Sequence, residues 1–150
     1  MKTQYKISLV ALIILFLILS SSILILRYNP IPVFREDISD NTVVRIIDGD
    51  TFELASGDIV RLLCIDTPEI GEEESEMGTF YLTSLILNKE VILESDVQDK
   101  DDYGRLLRYV YVNASWGTVF INRELYQNGY AKMMIIPPSD SRCEEISYIG

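Results

Sequence analysis

Between residues 43 and 69 the chain reads VVRIIDGDTFELASGDIVRLLCIDTPE. Three runs rich in β-branched and large apolar residues, VVRII, TFEL and IVRLLCI, are cut by Asp-Gly-Asp and by Ala-Ser-Gly-Asp, and the last ends at Asp-Thr-Pro. That punctuation predicts a meander of three short strands. Residues 79–87, TFYLTSLIL, place apolar side chains at 80, 81, 82, 85 and 86, closer to a helical stripe than to alternation. EVILE at 90–94 and LLRYVYV at 106–112 return to strand chemistry. Asn122 is then expected to cap a short helix that Gly129 closes. Three strands, a helix, two strands and a helix define an α+β class, mainly β, compatible with a five-stranded Greek-key barrel of OB-fold size.

Ahead of this domain, residues 7–26 carry no charge and no proline, and at helical rise they span the ~30 Å hydrocarbon core of a bilayer. The expectation is an uncleaved transmembrane anchor, with a cleaved signal segment ending near the serines of LILSSS as the competing reading. Lys2 and Lys6 precede the run, which favours a cytoplasmic residue 1–6 segment and a domain outside the membrane. Residues 27–42, with two prolines, read as a linker, and 43–150 as one domain.

The chain has a formal charge of −10, and from residue 36 onward nine basic residues face 23 acidic ones, a balance of −14. Such a surface repels phosphate backbones at long range, so any nucleic-acid role must rest on local cations or a bound metal. No histidine is present, which excludes histidine triads and histidine metal sites. Cys64 and Cys143 are too few for a disulfide framework and too far apart for a zinc signature. Cys64 lies in an apolar run and is expected to pack there, with pairing to Cys143 left undecided by the sequence. Asn113-Ala114-Ser115 forms an N-glycosylation sequon that matters only in a host that glycosylates such sites.

The chemistry gathers at the acidic turns. Asp50 follows a glycine turn and Asp66 stands where Pro68 stops the ladder, so both carboxylates can meet at one barrel rim and hold a hard cation such as Ca²⁺. Arg61 lies between them and Arg105 ends Asp-Asp-Tyr-Gly-Arg; guanidinium forks match phosphate oxygens. Residues 61 and 66 differ by an odd number, so alternation alone would point them to opposite faces, and a bend must re-aim one of them.

The motifs IDGDT, RLLCIDTPE and DYGR, in this order and followed by INRELYQNGYAK, resemble the thermonuclease family, also called staphylococcal-nuclease-like. The resemblance covers residues 43 to about 145 and implies an OB-fold, calcium-dependent nuclease that cleaves DNA or RNA to 3′-phosphorylated products. It implies that Asp50 and Asp66 ligate Ca²⁺ by carboxylate and Thr67 by its backbone carbonyl, that Glu69 positions or deprotonates the attacking water, and that Arg61 and Arg105 grip the scissile phosphate. Tyr103 and Gly104 read as structural. Three departures stand out. The segment IGEEESEMG, with Glu72, Glu73, Glu74 and Glu76, is acidic where the family's best-known member is lysine-rich. KMMIIPPS offers no aromatic for base stacking. The chain stops at Gly150, where relatives resembling this segment continue into a long C-terminal helix that covers the barrel. A catalytically inactive OB-fold module that binds nucleic acid or protein is the alternative, and no obligate protein partner is expected of what reads as a monomer.

Overall fold

The computed structural model describes residues 11–18, 38–68 and 75–148. The chain divides into two compact units, Met1–Glu36 and Asp37–Gly150. In the first, residues 11–18 form a helix, α1, with its apolar side chains exposed. Among the described residues no helix is long and apolar enough to cross a membrane. The rest of the expected anchor, residues 7–10 and 19–26, lies outside the described residues, as does most of the linker.

In the second unit β1 (Val43–Ile46), β2 (Thr51–Leu54) and β3 (Ile59–Leu62) form the expected antiparallel meander. β3 shows why the sequence alternates: Val60 and Leu62 are buried and Ile59 and Arg61 are half-buried on the other face. β5 (Val91–Lys100) runs longer than EVILE suggested and pairs antiparallel with β6 (Leu106–Ala114), which lies parallel to β3. The order β1-β2-β3-β6-β5 is closed by a bridge between Thr42 and Glu90, flanked by Val43 N donating to Lys89 O and Val91 N donating to Asn41 O, 3.0 and 3.1 Å. The circuit is an OB-like α+β arrangement. Three strands escaped the sequence pattern because they are short or hairpin returns: β7 (Gly117–Phe120) pairs with β6, and β4 (Ile65–Asp66) pairs with β8 (Lys132–Met133) as a separate ribbon.

Phe52, Leu54, Val60, Leu62, Tyr109 and Val110 fill the barrel, and the helices bury Leu82, Ile86, Ile121, Leu125 and Ile146 against it. α2 (Ser75–Ile86) begins four residues before the predicted stripe and buries Gly78, Leu82 and Ile86 at helical spacing, so Phe80 faces solvent. α3 (Ile121–Gln127) corrects the capping expectation: Phe120 occupies the N-cap, and Asn122 is a fully buried residue of the first turn. Its Oδ1 accepts from Val110 N at 2.9 Å, and its Nδ2 donates to Leu63 O at 2.9 Å and Arg108 O at 3.3 Å, which ties β6 to the end of β3. Gly129, at φ +79°, ends the helix as expected.

Cys64 does more than pack: it forms a disulfide with Cys143 at the start of α4 (Cys143–Ser147), with Cα atoms 5.3 Å apart. The link closes a separation of 79 residues, worth about 4 kcal/mol in loop-closure entropy of the unfolded chain. Cys143→Ala is therefore expected to lower unfolding free energy by about 2–5 kcal/mol in urea titrations. A change under about 0.5 kcal/mol would show that the link adds nothing to stability.

Candidate functional site

The site is built where the β1–β2 turn meets the β3–β4 connection. Asp50 is buried, 4% exposed, beside the turn in which Asp48 Oδ1 accepts from Asp50 N at 3.1 Å. Its Oδ2 accepts from both the N–H and the hydroxyl of Thr67, 2.9 and 3.0 Å, and its Oδ1 accepts from Thr51 Oγ1 at 3.0 Å. Gly49 makes this approach possible, since a Cβ there would lie 2.8 Å from Thr67 Oγ1.

Cys64 supplies the bend that the odd spacing of Arg61 and Asp66 required. At φ +63° it sits in the left-handed region, an unfavourable conformation for a non-glycine residue that the disulfide and the paired ribbon hold in place. The two-residue turn brings both side chains to one side. Arg61 Nη2 donates to Asp66 Oδ1 at 2.8 Å, Nε lies 3.1 Å from Asp50 Oδ1, and Nη1 donates to Leu62 O and Ile65 O at 2.8 and 2.9 Å. The guanidinium thus bridges the two carboxylates, which is the physical reason for an arginine between two acidic turns.

Arg105 arrives from another direction. Gly104, at φ +82°, makes the turn, and Asp101 organises it: Oδ1 accepts from the N–H groups of Tyr103 and Arg105 at 3.0 and 2.9 Å, and Oδ2 accepts from Arg105 Nε at 2.7 Å. Burial works to raise the Asp101 pKa, but the bonds and charge of Arg105 prevail and hold it below the usual carboxylate value. Tyr103, which reads as structural, is 86% exposed, with the Arg105 guanidinium carbon 5.4 Å from its ring centre. The sequence reading missed Asp101, although Asp101 and Arg105 stand four residues apart, and it missed Asp48.

Asp48, Asp50, Asp66, Thr67, Arg61 and Arg105 all face one cleft of about 240 Å³. A second cleft of about 390 Å³ shares Arg61 and Arg105 and is walled by Tyr103, Leu107, Met134 and Ile136. Glu69 and Glu72, Glu73 and Glu74 lie outside the described residues, whereas Glu76 is exposed in the first turn of α2. Among the described residues no three acidic or sulfur side chains converge tightly enough to hold a metal unaided. The acidic and hydroxyl side chains that face the cleft nevertheless offer oxygen donors, and one of them, Asp50, is a buried carboxylate. That chemistry fits a hard divalent cation whose shell is completed by main-chain oxygen, water and substrate phosphate.

The fold is thus an OB-like barrel whose rim joins paired carboxylates and two arginines at one cleft. The staphylococcal nuclease homologue family model matches residues 59–149, and the chain belongs to that family. It is 33% identical over 107 residues to a thermonuclease of Staphylococcus intermedius, covering 65% of this chain and 61% of the relative. A thermonuclease of Staphylococcus hyicus is 33% identical over 117 residues, 69% and 64% of the two chains. An uncharacterized protein of Methanocaldococcus jannaschii is 30% identical over 120 residues, 62% and 58%. The match spans about three fifths of the length of these relatives.

Burial pushes the Asp50 carboxyl up to about 6, against the pull of Arg61 and with help from the charge of Asp48. A carboxyl raised from 3.8 to about 6 in the folded state makes that state take up a proton between those values. The cost of the ionised form is full above pH 6, and metal-free stability rises as pH falls through that window. Asp50→Asn removes this titration, so its slope of stability against pH between 4 and 6 should be more positive than the parent's by up to about 1.4 kcal/mol per pH unit. Equal slopes in thermal or urea unfolding in chelator would refute the raised carboxyl.

Proposed function

We propose that this protein is a calcium-dependent phosphodiesterase that hydrolyses DNA or RNA to 3′-phosphorylated products. The observation that carries the reading is the convergence of Asp50, Asp66, Arg61 and Arg105 on one cleft in a member of a nuclease family. The resemblance of IDGDT, RLLCIDTPE and DYGR to the thermonuclease motifs supports the assignment of roles residue by residue.

In this reading Asp50 and Asp66 hold the cation by carboxylate, with the Thr67 carbonyl beside them, and bound Ca²⁺ supplies Lewis-acid polarisation of a phosphate oxygen. Glu69, assigned by the motif, positions or deprotonates the attacking water. Arg105 uses only Nε toward Asp101, and among the described residues its two Nη groups have no hydrogen-bond partner, which leaves a fork for phosphate oxygens. Arg61, already held by two carbonyls and two carboxylates, places fixed positive charge where negative charge grows in the transition state. The domain acts outside the cell, tethered through residues 7–26 or released if that segment is cleaved.

The test is hydrolysis of a single-stranded oligodeoxynucleotide by the full chain in detergent, with millimolar Ca²⁺ or with chelator. Cleavage that requires calcium and leaves 3′-phosphate ends is expected. Arg105→Ala should lower kcat by about 10²–10³-fold with the circular dichroism spectrum unchanged, since it removes charge stabilisation realised in the transition state. Nucleic-acid binding without cleavage would instead select the inactive-module alternative.

A further inference from the structure

We propose that Lys132 is a substrate-contacting residue that holds a phosphate next to the scissile one, on the Asp66 side of the cleft. The inference rests on the nuclease reading of that cleft and extends it to a residue to which the resemblance assigns no role.

The domain's cations are mostly spent within the protein. Arg45 pairs with Glu53, Arg105 with Asp101, Arg108 with Asp99 and Arg142 with Glu94 and Glu145, while Lys89 Nζ donates to Leu85 O. Arg61 bridges Asp50 and Asp66. Among the described residues Lys100, Arg123 and Lys132 are left without an ion pair or a side-chain hydrogen bond, and of these Lys132 alone lies in the ribbon that forms the cleft edge.

Its direction follows from the register. Asp66 stands opposite Lys132 and Ile65 opposite Met133, and the ladder continues with Met134 N donating to Cys64 O at 2.9 Å. Ile65 is buried and Met133 packs against the core, so Asp66 and Lys132 share the other, solvent-facing side. Residues directly opposite on an antiparallel pair have Cβ atoms about 4.5–5.5 Å apart. Asp66 and Met134, the cross-strand neighbour and the residue two further along, both face the cleft. Lys132 therefore projects an exposed ammonium beside the mouth of the cleft. Asp66 Oδ1 is already taken by Arg61, and Lys132 makes no ion pair with it.

Physically, a strand of nucleic acid approaching a domain with a balance of −14 needs an uncommitted cation near the point of entry. A lysine suits this position because it acts as a mobile point charge on a long stem and tolerates variation in phosphate position, whereas the planar arginines fix the reacting group. The contact is uniform between bound substrate and transition state, so it belongs to KM rather than to kcat.

The experiment compares Lys132→Gln, Lys132→Arg and Lys100→Gln in the full chain, with an oligodeoxythymidylate as substrate and its phosphorothioate analogue as the binding probe in calcium. Lys132→Gln should raise KM about 2- to 5-fold, the worth of one exposed charge contact, with kcat unchanged. It should also reduce the slope of log affinity against log salt by about 0.7, the value for one single-strand phosphate. Lys132→Arg should retain the parent slope, and Lys100→Gln, the same charge change outside the β4–β8 ribbon, should match the parent in both readouts. If Lys132→Gln and Lys100→Gln behave alike, Lys132 does not touch substrate. If the unsubstituted chain neither binds nor cleaves, the nuclease reading falls and this contact falls with it.

Discussion

Two residues between β3 and β4 hold the site together. Leu63 gives its carbonyl to buried Asn122 and its N–H to Arg108 O at 3.0 Å; Cys64 takes the left-handed conformation, receives Met134 N and bonds covalently to Cys143. Every partner comes from a different part of the chain: α3, β6, the end of β8 and α4. The turn thereby fixes the angle at which β4 leaves the barrel, and that angle decides whether Asp66 reaches Arg61. A site made of short-range charge contacts thus depends on a bend whose own conformation is unfavourable and is held by tertiary bonds.

The meander, the two helices α2 and α3 and the pairing of acidic turns with an arginine were legible because they are local: alternation, turn residues and Pro68 each act within a few positions. What the sequence hid is non-local. Asn122 has the composition of a cap and sits at the start of a helix, yet it serves β6 and Leu63 because the barrel leaves Val110 N and two carbonyls buried there. Buried backbone groups must be paired, and that demand outranks local capping preference. Cys64 and Cys143 are likewise 79 residues apart, and only closure of the fold brings them together. Tyr103, from the turn before β6, likewise lines the second cleft and leans on Arg105, a contact that only the folded turn creates.

The acidic balance and the phosphate-binding role proposed for the cleft are reconciled by how each arginine is held. Arg61 is surrounded: two carbonyls and two carboxylates fix its plane, and the carboxylates lower the net field it projects. Its contribution to binding a polyanion from afar is therefore small, and its value lies in geometry that costs no reorganisation when charge develops beside it. Arg105 is held at Nε by one carboxylate while Tyr103 lies against its guanidinium, so its orientation is set but its outer nitrogens are unspent among the described residues.

A cation that replaced part of the Arg61 bridge would change this balance. It would draw Asp50 and Asp66 into its own shell, and the guanidinium that had neutralised them would gain effective charge toward the cleft. The carboxylates and Arg61 would then act as one coupled unit: without the cation they satisfy each other, and a cation held by Asp50 and Asp66 would leave the arginine freer toward phosphate, with its carbonyl contacts to Leu62 and Ile65 keeping it aimed. Affinity for a polyanion and affinity for a divalent cation are in that arrangement mutually reinforcing, since each ligand raises the local charge that favours the other. Under the proposed function, an acidic domain would in this way be indifferent to nucleic acid at low calcium and engage it when calcium is abundant.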